Sequence, residues 1–240
     1  MQPLRIFGAQ YFGNGDHRGH MHSFRFKLYA TLLVSGLTML LLLTKGSDLI
    51  SLYLTDTAGN GATDVALQYG KQYLVIMLVG LVPFAVNQAY ATNIKETGQT
   101  LVPMLASFVA VGTNAVLDYL LIFGVGPFPE LGVTGAALAT VIARYVEAVI
   151  VVFWAHRNRE KNRYLEGAYR GFGIPVSELK TILIKGLPLM FNEVLWAAGM
   201  TTVTQCYSVR GLDVVAGLNI ATTITNLFNI VYIQLGACIS

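Results

Sequence analysis

The feature that most constrains this chain is a series of long, nearly uncharged apolar runs separated by short polar or charged stretches. A hydrocarbon core about 30 Å thick needs about 20 mostly apolar residues at a rise of about 1.5 Å each. Segments 28–44, 73–92, 101–123, 131–155, 182–207 and 214–238 come close to that requirement; the first reaches to 54 if Lys45 and Asp48 are tolerated near its far end. The reading is an all-α, polytopic integral membrane protein with six transmembrane helices. Composition agrees, with 54% hydrophobic and only 12% charged residues, about half the charged share of a soluble domain.

The loops set the orientation. With the start of the chain inside, the inner loops hold Arg5, Arg18, Arg25, Lys27, Lys95, Arg157, Arg159, Lys161, Arg163, Arg170, Lys180 and Lys185, and the outer loops hold only Lys45, Lys71 and Arg210. Basic residues on the inner side of spans orient them that way. Residues 1–16 lack the basic start, apolar core and small-residue site of a signal peptide, so insertion is directed by the spans. The stretch 156–181 is the long polar connector: it separates a first bundle, 1–155, from the start of a second, 182–240, and Ser177 precedes an amphipathic run there.

Several functions are set aside. The basic residues do not interleave with aromatics as in a nucleic-acid site. Cys206 and Cys238 fall in apolar runs and read as two buried thiols rather than a disulfide. His17, His20 and His22 lie in a basic inner loop with no cysteine and no downstream ligand pair, so they read as a chance cluster and no metal is expected. Nucleophile elbow, phosphate loop and zinc-protease helix are all missing, so no enzyme and no cofactor is expected.

What remains is a set of polar residues inside apolar runs. A carboxylate there costs about 2.5–3.5 kcal/mol, so each needs a partner or a wet cavity. Asp118 lies one turn after Asn114 on the same face, and Thr140 in the next run falls at a comparable depth from the outer surface. Together they offer oxygen ligands to a hard cation or a home for a proton; the bland alternative is a polar knot that locks two helices. Glu193 follows Asn192, beyond Pro188, with Met190, Phe191, Trp196 and Met200 nearby, which suits a lipophilic cation or an acid paired to another helix. Arg144 and Glu147, three residues apart, can neutralise each other. Asn87 and Gln88 lie mid-span, where they satisfy each other or a neighbour, or line a cavity.

The run from Pro103 and Met104 through Asn114, Asp118 and Gly124 to Pro129, Gly132, Gly135 and Thr140 resembles the multidrug and toxic compound extrusion family, as do Gln10 to Gly13 and Gly186, Leu187, Pro188, Asn192 and Glu193. The resemblance covers nearly the whole chain. It implies twelve spans in two pseudo-symmetric lobes that alternate between inward-open and outward-open states. On that plan the six spans are the third to the eighth, the sequence is a fragment, and the piece alone is not expected to transport. The resemblance also implies that Asn114, Asp118 and Thr140 supply half of a cation site completed by the absent first span, and that Glu193 serves coupling or substrate binding. The expected function is Na+- or H+-coupled antiport of small organic cations by a monomer in the bacterial inner membrane. The alternatives are a flippase for lipid-linked sugars, which lacks the basic cavity it needs apart from Arg144, and a membrane scaffold.

Overall fold

The computed structural model describes residues 2–51, 62–169, 173 and 175–239. Among these the regular elements are helical: α1 (Gln2–Gly13), α2 (His17–Ser51), α3 (Ala62–Val79), α4 (Leu81–Glu96), α5 (Leu101–Phe123), α6 (Val133–Arg157), a 3-10 turn at Arg163–Leu165, α7 (Val176–Ser208) and α8 (Leu212–Ile239). By length and apolarity α2, α5 and α6 can each cross a membrane, and the bent pair α3–α4 can serve as one further span. The chain divides into two compact units, residues 1–46 with 71–193, and residues 47–70 with 194–240.

Helices cover all six expected runs, but among the described residues only α2, α5, α6 and the α3–α4 pair meet the requirement for a span, and α7 and α8 do not; three further corrections follow. The first helix begins well before residue 28, because the Asp16 carboxylate caps it, accepting the N–H groups of Arg18 and Gly19 at 3.1 and 3.0 Å. With 35 residues, α2 is about 52 Å long and overshoots the hydrocarbon core. The three histidines therefore ride on a helix and not in a loop; the expected extension over 52–54 lies outside the described residues.

The second correction concerns 73–92, read above as one span. It is two helices bent by 44°, because the ladder fails at Gly80: its N–H turns to Met77 O at 3.0 Å, and Pro83 has no N–H to give Val79. Gly80 also packs closely, since a Cβ there would lie 3.2 Å from Val141 Cγ2 and 3.4 Å from Arg144 Cδ. Third, Cys206 is a free thiol exposed on α7 rather than buried; the Cys238 side chain lies outside the described residues, as does that of Ser177.

In the first unit α5 and α6 form an antiparallel hairpin. Gly124 ends α5 in the left-handed conformation, φ 64°, which an L side chain resists. Leu131 N–H then bonds Leu121 O at 2.9 Å, and Gly135 lies so close that a Cβ would sit 2.6 Å from the same carbonyl oxygen. Helix α4 packs on α6, with Ala85, Ala89, Ala139 and Ala143 all buried. The outward face of α5 is apolar and exposed, with Phe108, Val116 and Phe123. A buried apolar cluster lies where α2 starts and α4 and α6 end: Phe24, Tyr90, Ile94, Val151 and Ala155 pack with Tyr164, Leu165 and Ala168 of the connector. We call this the inner end, since the basic residues gather there.

In the second unit, Gly70 of α3 sits against Ile50 of α2, where a Cβ would meet Ile50 Cγ2 at 3.4 Å. Helix α7, whose residues up to Glu193 belong to the first unit, runs unbroken through Pro188. Single prolines are tolerated in membrane helices when the freed carbonyl finds another partner.

Candidate ion-binding cleft

Helix α5 carries Ser107, Asn114 and Asp118 at spacings of seven and four, so they share one face. Helix α6 carries Thr140, Arg144 and Glu147 at four and three, which again makes a single face. The antiparallel hairpin sets Ser107 opposite Glu147 and Asn114 beside Thr140, around an open cleft of about 300 Å³ lined by Ser107, Asn114, Thr140, Arg144 and Glu147 over a floor of Ala110 and Ala143. Asp118 lies one turn along α5 from Asn114.

The hydrogen bonding within this set is incomplete. Ser107 Oγ donates to Glu147 Oε1 at 2.6 Å. Thr140 Oγ1 donates its hydrogen to Ala136 O at 3.0 Å, which leaves its lone pairs unused. Asn114 Nδ2 and Asp118 Oδ1 are buried atoms without a partner. A half-turn of the Asn114 amide would present its oxygen in place of its nitrogen. Carboxylate, hydroxyl and amide oxygens are the donor types a hard cation prefers.

Arg144 and Glu147 do not pair with each other. Glu147 is taken by Ser107, and the Arg144 guanidinium lies 4.9 Å from the centre of the Phe84 ring on α4. Partners on the packed neighbours outcompete the short intrahelical reach. Asn87 on α4 is buried with its Oδ1 unpartnered, beside a half-buried Gln88. Met190, Asn192, Glu193 and Trp196 are exposed on α7, and none of them is among the residues that line the cleft.

A second polar assembly, at the inner end, escaped the sequence reading. Lys27, fully buried, donates to both oxygens of Glu96 at 2.6 Å. It reaches Asn93 Oδ1 at 3.4 Å, and Asn93 in turn donates to Ala89 O at 2.7 Å. His20 Nε2 stands 3.4 Å from Glu96 Oε2 but without hydrogen-bond geometry. Gly8 of α1 presses against the Glu96 carboxylate where no side chain would fit. Beside it, Arg25 donates to the carbonyls of Ala168, Gly173 and Gly167 at 2.9, 2.9 and 2.7 Å. Tyr90 and Tyr169 share a hydroxyl contact. Burial first, then Tyr169 and Glu96, push the Tyr164 hydroxyl above the usual phenol range, so it stays neutral. The available signal was spacing: His20, Phe24, Lys27 and Thr31 form one helical stripe, as do Ala85, Ala89, Asn93 and Glu96.

Residues 4–120 match the pattern of the MatE family. A probable multidrug resistance protein NorM of Thermotoga maritima is 30% identical over 159 residues, 65% of this chain and 33% of that protein. An FAD transporter of Shewanella oneidensis is 35% identical over 83 residues, 35% of this chain and 18% of that protein. The solved inward-facing structure of a multidrug resistance MATE family transporter of the MOP superfamily superposes with a TM-score of 0.64 at 24% identity, over 78% of this chain and 39% of the other; that likeness shows the fold. The chain spans about a third or less of the length of these curated relatives.

Proposed function

This chain belongs to the multidrug and toxic compound extrusion family, and from that premise we propose that it supplies the coupling-ion half-site of a Na+- or H+-driven antiporter exporting small organic cations. The observation that carries the reading is the pair of unsatisfied buried atoms, Asn114 Nδ2 and Asp118 Oδ1, beside a hydroxyl with spare lone pairs at Thr140. A buried polar atom without a partner costs about 1–3 kcal/mol, and an ion at Asp118 relieves that cost.

The ion then couples to the cargo through differential affinity: it favours one packing of α5 against α6 and its neighbours, and the cargo favours another. Glu193, with Asn192, Met190 and Trp196 around it, supplies charge and aromatic surface for a lipophilic cation once further helices enclose α7. Asn87 and Gln88 line the route more weakly. The bacterial inner membrane is the proposed location, with the chain acting as a monomer. Ethidium efflux from proteoliposomes under imposed Na+ or H+ gradients tests this, using the protein with its full complement of spans. Asp118→Asn is expected to abolish the gradient-dependent part; undiminished efflux would remove Asp118 from coupling.

One observation favours a second cargo class. Arg144 brings a cation into the cleft, and the FAD transporter likeness makes an anionic dinucleotide the corresponding cargo. Uptake of FAD in place of ethidium by the same vesicles, lost in Arg144→Gln, would support it.

A further inference from the structure

We propose that the cavity at the inner end of α6 is a binding site for the headgroup of an anionic phospholipid of the inner leaflet. The cavity, about 370 Å³, is lined by His156, Arg159, Leu165, Glu166, Gly167 and Tyr169. It is separate from the ion-binding cleft, and the transport reading uses none of these residues.

Its position comes first. With 25 residues, α6 is about 37 Å long, which exceeds the hydrocarbon core and carries its last turn into the headgroup layer. His156 and Arg157 occupy that turn, and Arg159 follows at once. The Tyr169 ring, 55% exposed, stacks on His156 with centroids 6.0 Å apart, and Trp154 is half-buried one turn back. Such rings settle at the membrane interface. A soluble anion has no use for Leu165 in the wall, whereas the glycerol region of a lipid does.

Charge comes second. Arg157, Arg159, Lys161 and Arg163 are all exposed, against the exposed acids Glu160 and Glu166, so the surface is net positive. Beneath it Arg25 is buried and, among the described residues, held by backbone carbonyls. Among the described residues its charge meets no carboxylate there, and it adds to the positive potential under the cavity. One of those carbonyls belongs to Gly167, a wall residue, so the same arginine fixes the shape of the site. Glu166 at the wall opposes an anion and restricts it to the side bearing Arg159 and His156.

The test is native mass spectrometry of the delipidated protein in dodecyl maltoside, titrated with phosphatidylglycerol, phosphatidylcholine or inorganic phosphate. Phosphatidylglycerol is expected to form a retained one-to-one adduct, phosphatidylcholine not, and phosphate is expected not to displace it. Arg159→Gln should weaken the adduct about fivefold, while Arg18→Gln, which removes an exposed charge from the same end, should leave it unchanged. Equal losses in the two variants would reduce the site to diffuse charge, and equal retention of phosphatidylcholine would remove headgroup selectivity. Displacement by phosphate would make it a soluble-anion site; each of these three outcomes overturns the proposal. Should Arg159→Gln protein not purify monodisperse, Glu166→Gln gives the independent reading: tighter phosphatidylglycerol binding supports the site, and unchanged binding overturns it.

Discussion

The inner end of the first unit and the α5–α6 cleft hold similar side chains in opposite conditions. At the inner end, Lys27, Glu96, Asn93 and Arg25 are buried and bonded to one another or to backbone. At the cleft and one turn beyond it, Asn114 Nδ2 and Asp118 Oδ1 expose no surface and have no hydrogen-bond partner among the described residues. Both sets cost desolvation energy; Lys27, Glu96, Asn93 and Arg25 recover it within the described residues, while His20 Nε2, Asn162 Oδ1 and the Tyr164 hydroxyl at their margin do not. A closed network resists change and fixes geometry. An open one leaves polar atoms free for a ligand, which is the basis of the coupling-ion proposal at Asp118.

The comparison can be broken most directly at Lys27. Lys27→Met strands the Glu96 carboxylate and is expected to destabilise by about 3–5 kcal/mol, read as thermal unfolding in detergent. Adding Glu96→Leu should recover most of that loss, because removing both charges removes the uncompensated one. A harmless single replacement would show that the inner network is not closed.

Next in size is Arg25→Ala, which strips three carbonyls of a charged donor and should cost about 2–3 kcal/mol. It should also expose the connector to trypsin at Arg163 and Lys161 before any cut within α5 or α6. Ser107→Ala sharpens the contrast inside the cleft, where it deletes the partner of Glu147; about 1 kcal/mol is expected by the same unfolding measurement. The smallest effect belongs to Asp118→Asn, within about 0.5 kcal/mol of wild type in ion-free buffer, because no described bond is lost. Its signature is instead linkage: coupling ion at tenfold its dissociation constant should stabilise wild type by about 1.4 kcal/mol and the variant not at all. A large intrinsic loss in Asp118→Asn would place Asp118 among the structural groups and erase the distinction.

The sequence made the α5–α6 hairpin legible because local signals agree there: an uncharged run, Gly124 to end it, and the small Gly135 where the helices approach. The polar stripe on α5 was equally readable, since Asn114 and Asp118 share a face by spacing alone. The break at Gly80 was hidden because the apolar run continues across it, and hydropathy does not register a missing N–H at Pro83. The Lys27–Glu96 pair was hidden for another reason, since its members are remote in sequence and each looked like an ordinary flanking charge at the edge of a span. At Arg144 and Glu147 the intrahelical spacing rule misled, because Phe84 and Ser107 lie on other helices and no single-helix pattern reveals them. The residues around Glu193 were named from the sequence, and the structure leaves them exposed on α7.

The carbonyl cage around Arg25 has a consequence for how the connector can vary. Its three acceptors are main-chain oxygens, so the anchor reads the path of the backbone and is blind to the side chains that path carries. Substitutions along the connector can therefore accumulate freely so long as the curve is kept, with Gly167, at φ 83°, as the position where the curve itself resists replacement. Among descendants of this chain, an unchanging arginine should face a partner whose spelling drifts.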